Sequence, residues 1–483
     1  FLALAGWRLG QHSLWLDEIM SLDFTDGTLG QLFHWIREDV HAPTYYLILW
    51  ATLKILGLSA WAGRVPGVLA GAACVGALFF LVRDLTRDRR AAGLAAVFLA
   101  VSPHFIEFSR EIHPFSLSAL FAVLSWWFFL RILRTGRWVD AAPYALTTAL
   151  LPLTFYPAAL IPIAQLLLCA TFRLSRRKWK RLAVAWMAAG LLFCPWVPTF
   201  TAQLTRQITR SSPHQQYVIG QYFPNGIGWA DVTRAVGDLA FGAAARRMPI
   251  AGLAVLTAAL LALGLFGTLA RPAEDGLPSR RRRLGPRIIG WAFWTPLLLF
   301  LAACLVKPIL VSRYLTMLSP FLAAFLGVAL ARAGRLGGGG ESREREGRKP
   351  WKIALTLAPS AILLLFLLFG YGLYLREIPR QDWRGVAETL LDRMGPQDVI
   401  VVDSSTSRGC LDYVFRLEGR PLTDHLFTFD QFAEITQGAY PFPDRTLWYL
   451  DRGELTPRGQ RVVLRQKNRE SGGAVPFRGG LLL

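Results

Sequence analysis

Two adjacent carboxylates close the first apolar stretch, in Trp15-Leu16-Asp17-Glu18. An ionised acid so near hydrocarbon is costly unless it is paired or hydrogen-bonded. The pair is therefore a candidate for proton chemistry, with one acid as general base and the other orienting a substrate hydroxyl. The same residues also suit a helix start, with Asp17 capping free amides, and on these residues alone both readings stand. A second group is Ser109-Arg110-Glu111-Ile112-His113-Pro114, an acid, a guanidinium and an imidazole within four residues. Glu111 and Asp17 could converge on one cavity, or Arg110 and Glu111 could form a surface pair worth about 0–1 kcal/mol. Third come Lys307-Pro308 and Arg313-Tyr314. Arg offers a fork and Lys a point charge to a lipid phosphate, although both cations also snorkel at span ends. His41 precedes Tyr45, Tyr46 and Trp50 in a segment suited to the membrane interface.

These groups need elements to hold them. Of the 483 residues 53% are hydrophobic and 18% charged, and long stretches lack charge almost entirely. That excludes a single soluble domain and excludes disorder. Apolar blocks long enough for spans occur near 1–12, 62–82, 91–108, 114–130, 141–172, 182–200, 250–270, 288–306, 314–331 and 353–375. The loops 83–90, 131–137, 173–181, 271–287 and 332–352 carry 26 Lys+Arg, and the alternate loops 13–61, 103–113, 201–249 and 307–313 carry 10. The positive-inside rule places the first set in the cytoplasm. Basic loops flank 141–172 on both sides, so this block must cross an even number of times. Pro152, Pro157 and Pro162 predict a hairpin turning near Phe155-Tyr156-Pro157. The sum is about eleven spans, N-terminus inside and C-terminus outside. The chain opens on Phe1 within an apolar segment, which predicts a first span lacking its first residues. The net charge of +20 then reflects basic cytoplasmic loops and inner-leaflet anionic lipid, with no nucleic acid partner.

The expected organisation is mainly α. A polytopic membrane domain covers 1–375, with a catalytic outer loop at 13–61, and a small extracytoplasmic α/β domain covers 376–483. In that domain an amphipathic helix runs from Asp382 to Met394, Val399-Ile400-Val401-Val402 forms an apolar run, and strand-like pieces lie at Thr446 to Leu450 and Arg461 to Arg465. The glycine run 337–340 predicts a flexible loop, and residues from Ser471 predict a frayed end. The five Cys show no CxxC and no zinc spacing. No phosphate-binding loop GxxxxGK[ST], HExxH, DxD or GxGxxG occurs, which disfavours an ATP-driven pump and a soluble nucleotide-sugar transferase.

The order of these pieces resembles the membrane-embedded GT-C glycosyltransferases of the family-39/PMT type, relatives of protein O-mannosyltransferase and aminoarabinose transferase. Asp17-Glu18 stands where that family has an acidic pair after span one. His41-Ala42-Pro43-Thr44-Tyr45-Tyr46 is similar to its His-Pro-Pro-Leu-Tyr-Tyr segment, and Arg64-Val65-Pro66-Gly67 to its Arg-Leu-Pro-Ser. Ser102-Pro103 followed by Arg110-Glu111-Ile112-His113-Pro114-Phe115-Ser116 resembles its Ser-Pro…Gln-Glu-x-Arg-x-Tyr-Ser pattern, and Arg313-Tyr314-Leu315 also fits. The departures are Ala42 for the first Pro, His113 where Arg is frequent, and Phe115 for Tyr. The resemblance is strongest over 13–165 and slight beyond 335.

What the resemblance implies is a polyprenyl-phosphate–sugar donor reached from the bilayer and an acceptor hydroxyl on a glycan, lipid or protein at the extracytoplasmic face of a bacterial inner membrane. Asp17 would be the general base of a single inverting displacement. Arg313, Lys307 and Arg64 would stabilise the leaving phosphate. Glu111 and Glu18 would bind acceptor hydroxyls or help hold a divalent cation, whose need varies within the fold class. His41, Tyr45, Arg110, His113 and Tyr314 complete the expected substrate-binding set. Two other functions are carried: a polyprenyl-lipid flippase or transporter, and a non-catalytic subunit on a degenerate transferase scaffold.

Overall fold

The structure is a computed structural model. It describes residues 1–172, 174–209, 227–269, 279–336, 350–376, 383–395, 398–402, 405–417, 425–428, 431, 447–451, 455–456, 459–460, 463–467 and 472–475. The glycine run 337–340, the expected turn at 403–404 and residues 461–462 of an expected strand lie outside the described residues. The chain divides into two compact units. The first comprises Phe1–Trp7, Phe33–Ile48 and Val65–Tyr374, and the second Arg8–Leu32, Leu49–Arg64 and Leu375–Leu483. Parts of the loop 13–61 thus belong with the C-terminal segment.

The protein is a polytopic α-helical membrane protein. Among the described residues five helices are long and apolar enough to cross a bilayer: Ala60–Thr86, Phe115–Thr135, Arg176–Arg206, Gly285–Val306 and Ser312–Ala333. A sixth crossing is made if the bent pair Arg89–Val101 and Pro103–Ser109 counts as one. The pair bends by 58° for a local reason. The ring of Pro103 crowds the preceding residue out of helical geometry, and Ser102 is extended at ψ 117°, its hydroxyl accepting from the Phe105 amide at 3.3 Å. The block 1–12 holds only a short helix, Leu2–Gly6. Other apolar blocks form shorter helices, Tyr156–Ala170, Ile250–Phe266 and Leu363–Arg376.

The block 141–172 doubles back. The helix Ala141–Thr154 ends at Phe155, which is extended (φ −156°, ψ 114°), and the chain continues as a 3-10 turn, Tyr156–Ala159, and a helix, Leu160–Ala170. The Tyr144 hydroxyl donates to Gln165 Oε1 at 2.7 Å across 21 residues of chain. A continuous helix would set those residues about 31 Å apart. Gln165 Nε2 donates to Ser125 at 3.0 Å and Trp186 Nε1 donates to the Tyr144 hydroxyl at 2.9 Å, so the polar atoms buried here satisfy one another. Trp126, Phe129, Phe293, Phe321 and Phe325 are among the fully buried aromatics of the surrounding core.

In the second unit β1 (Val399–Val402), β2 (Leu426–Thr428), β3 (Leu447–Asp451), β4 (Leu455–Thr456), β5 (Gly459–Gln460), β6 (Val463–Lys467) and β7 (Gly472–Val475) follow helices Leu16–Asp26 and Trp383–Arg393. The main sheet has the order β2-β1-β3-β6-β7. β1 is central, parallel to both neighbours and buried along its whole length, as its unbroken Val-Ile-Val-Val run requires. β7 occupies residues for which fraying was expected, because it pairs antiparallel with β6. Helix Ser405–Leu417 crosses over between β1 and β2. Its Arg416 reaches Asp23 at 3.1 Å, and burial, then the nearby Asp26 and Asp23 charges, push the Tyr413 phenol far above its ordinary range. The Ser13 hydroxyl accepts from the Arg384 amide at 3.1 Å. Such contacts explain why the segment around Asp17 clusters with residues beyond 375.

Candidate active site

Asp17 and Glu18 occupy the first turn of helix Leu16–Asp26, where the helix dipole favours acids. The N-cap is Trp15 and makes no side-chain cap bond, so Asp17 is not the cap. The two acids differ sharply. Asp17 is half-buried, and its backbone carbonyl accepts from the Ser21 hydroxyl at 2.7 Å. Glu18 is 2% exposed and Arg64 3% exposed, and they form a two-pronged ion pair: Nε to Oε1 at 2.8 Å and Nη2 to Oε2 at 2.8 Å. Arg64 Nη1 donates to the carbonyls of Leu9 at 2.8 Å and His12 at 3.0 Å, and Nη2 to that of Ser13 at 3.2 Å. All five N–H donors of the guanidinium meet an acceptor. Arg64, expected to hold a lipid phosphate, instead fastens residues 9–13 and Glu18. Glu18, expected beside the base, has both oxygens engaged by that fork.

In the first unit the other expected residues gather along a line of rings. His41 lies 4.9 Å from the Tyr46 ring and 5.5 Å from His113; His113 lies 4.9 Å from Phe115; Phe115 lies 5.7 Å from Phe155; Phe155 lies 5.4 Å from Tyr314. Four separate segments build this wall, and Arg313 stands at its end with its guanidinium 5.7 Å from the Tyr314 ring. The His113 Nδ1–H donates to the Ile112 carbonyl at 3.2 Å, which makes Nε2 the acceptor of the neutral ring. His41 Nε2 faces Asp39 Oδ2 at 3.3 Å. The His41 carbonyl accepts from Gln203 Nε2 at 3.3 Å, and Tyr156 donates to Gln203 Oε1. Tyr45 and Tyr46 are fully buried and pack edge to face. Arg110 is buried with its guanidinium 5.7 Å from the Tyr374 ring, and Glu111 is 8% exposed. Lys307 is half-buried at the C-terminal end of the helix Ser279–Val306.

Gly67 of the Arg64-Val65-Pro66-Gly67 segment sits at a close backbone approach. A Cβ at Gly67 would come within 2.5 Å of the Ser109 carbonyl oxygen. The Gly67 carbonyl in turn accepts from the Ser116 hydroxyl at 2.8 Å. The helix Ala60–Thr86 thus touches the backbone before Arg110 at a point where only glycine fits.

The sequence reading missed a buried charged cluster. His104 Nδ1 lies 3.4 Å from Asp238 Oδ2, and Arg246 grips Glu107 through Nη1 at 3.2 Å and Nη2 at 2.8 Å. Burial would raise the Asp238 carboxyl; Arg246, then His104 and Ser312, override it and hold it well below the usual carboxylate range. The signal was present: His104 and Glu107 are ionisable residues inside an apolar block. Among the described residues no group of three or more His, Cys, Asp or Glu side chains is arranged to hold a metal ion. Glu18, one of the two acids expected to help hold a cation, is engaged by Arg64.

Residues 40–200 match the dolichyl-phosphate-mannose-protein mannosyltransferase family. The crystal structure of ArnT from Cupriavidus metallidurans bound to undecaprenyl phosphate is similar with a TM-score of 0.55 at 13% identity, covering 94% of this chain and 91% of that one. The chain shares the fold of this GT-C glycosyltransferase, and the mannosyltransferase match covers a third of its length. The apo state of the same ArnT gives a TM-score of 0.56, also at 13% identity and with the same coverage. No curated protein sequence matches the chain significantly.

Proposed function

We propose that the protein is a membrane glycosyltransferase that takes a sugar from a polyprenyl-phosphate donor and places it, with inversion, on an acceptor hydroxyl at the extracytoplasmic face of a bacterial inner membrane. The observation that carries this reading is the wall from His41 to Tyr314 ending on Arg313, in a GT-C fold similar to a protein solved with undecaprenyl phosphate. Aromatic faces suit the C–H faces of a sugar or the first prenyl unit, and a guanidinium beside them suits a phosphate. Asp17 is the half-buried acid of its pair; it is the general base of this proposal. The acceptor oxygen forms a bond to the anomeric carbon while the bond from that carbon to the phosphate oxygen breaks. The acceptor proton passes to Asp17, and the electron pair leaves on the lipid phosphate, where Arg313 and Lys307 offset the developing charge. Glu111, His41 and His113 bind sugar or acceptor hydroxyls. Glu18 and Arg64 set the Asp17 turn.

The test is Asp17→Asn in proteoliposomes supplied with a polyprenyl-phosphate sugar. Transfer should fall by at least about a thousandfold while thermal stability holds, as expected when a positioned base is removed together with its charge. Near-normal turnover would end the assignment. Movement of lipid without any sugar transfer would favour a flippase.

A further inference from the structure

Arg313 sits on a 3-10 turn, Ser312–Leu318, and the side chains that fix this turn come from three other segments. The Thr316 hydroxyl donates its single proton to the Arg313 carbonyl at 2.7 Å. His104 Nε2 lies 3.1 Å from the same oxygen. With its proton committed, Thr316 can only accept there, so Nε2 carries a hydrogen. Nδ1 faces the Asp238 carboxylate at 3.4 Å. Arg246 Nη1 lies 3.7 Å from Asp238 Oδ1 and both its Nη atoms bond Glu107. Ser312 faces Asp238 from the start of the turn. His104 and Thr316 are 0% exposed, so neither meets a substrate. Their chain of contacts ends on the backbone of Arg313.

Gly242 makes this approach feasible. It joins the helix of Asp238 to that of Arg246 at φ +57°, and a Cβ there would come within 2.7 Å of Pro103 and 2.9 Å of the His104 amide.

We propose that His104, Asp238 and Thr316 are positioning residues that hold the Ser312–Leu318 turn so that Arg313 receives the phosphate of the lipid donor. The inference rests on the polyprenyl-phosphate reading above. It assigns three buried residues, none of them in the matched motifs, to the placement of that guanidinium.

The experiment uses the full chain in detergent micelles and measures undecaprenyl phosphate binding alongside KM and kcat for the sugar donor. Thr316→Val should raise the lipid Kd about five- to tenfold, the effect of one positioning hydrogen bond, and lower kcat/KM for the donor by at least that factor. Thr316→Ser, which keeps the hydroxyl, should restore both. Asp238→Asn, a change of equal size, is the second variant and carries the same expectation. Arg313→Ala should weaken lipid binding by itself, and Thr316→Val added to it should cost less than about twofold more, because the two act through one contact. Independent, multiplying losses in the double variant would overturn the inference, and so would a Thr316→Val protein that binds lipid normally. A wild-type chain that binds no undecaprenyl phosphate would overturn the functional reading and this inference with it; normal wild-type binding with independent losses overturns the inference alone.

Discussion

Replacing Arg64 by methionine would leave a carboxylate stranded at a site 2% exposed. Arg64 makes two bonds of 2.8 Å to Glu18 and three, of 2.8, 3.0 and 3.2 Å, to the carbonyls of residues 9, 12 and 13. Breaking a buried pair from one side costs about 3–5 kcal/mol. A direct Coulomb figure of about 4 kcal/mol for charges 4 Å apart at an effective dielectric of 20 agrees. Glu18→Gln removes the charge but keeps one acceptor, and should cost about 2 kcal/mol. The pair Arg64→Met with Glu18→Leu strands no charge and should cost less than the two single changes together. Arg64→Lys keeps the charge yet offers three donors in place of five, so it should fall between. The assay is thermal unfolding in detergent followed by tryptophan fluorescence, where Arg64→Met should lower Tm by roughly 5–10 °C. If Arg64→Met and Arg64→Lys both unfold like wild type while the donor KM rises only for methionine, Arg64 serves a phosphate and the structural assignment is wrong.

Three further outcomes follow from the packing. Gly242→Ala forces a side chain into a positive-φ position against Pro103 and His104, so about 2 kcal/mol or more of stability should be lost; an unchanged Tm would contradict the close approach. Gln165→Leu leaves Tyr144 and Ser125 each short of a partner and should cost about 1–3 kcal/mol, whereas Gln165→Glu should keep more of the fold because it retains the acceptor. Asp238 has its carboxyl held below the ordinary value, so its contribution to stability is present above the unfolded carboxylate pKa of about 3.9 and is lost as pH falls through the lower folded value. Wild-type Tm should therefore decline more steeply below about pH 4 than that of Asp238→Asn; parallel curves would refute this.

The turn at Phe155 was legible because three prolines and two basic flanks constrain one segment, and both signals are local. The bend at Ser102-Pro103 was equally present in the letters, yet an apolar block reads as continuous when only hydropathy is followed. The Arg64–Glu18 pair was not legible because the partners lie 46 residues apart; a basic residue at a span start looks the same whether it meets a phosphate or a buried acid. Asp17 and Glu18 could not be ranked by sequence, since their difference is burial and the Arg64 fork. The His104 cluster spans helices 139 residues apart at Glu107 and Arg246, and only the oddity of ionisable residues in an apolar block hinted at it. In the C-terminal segment β1 was visible as an apolar run, whereas β7 is glycine-rich and owes its form to its pairing with β6.

The hairpin at Phe155 has a consequence for the surrounding lipid. At about 1.5 Å per residue, helices of 14 and 11 residues rise about 21 and 17 Å, well short of a hydrocarbon slab about 30 Å thick. Acyl chains beside this hairpin must shorten or splay to match it, and water is drawn inward by the same amount. Phe155, at the tip, touches Tyr314 next to Arg313. A charged headgroup brought to that point is then submerged less deeply than its distance from the average membrane surface would imply.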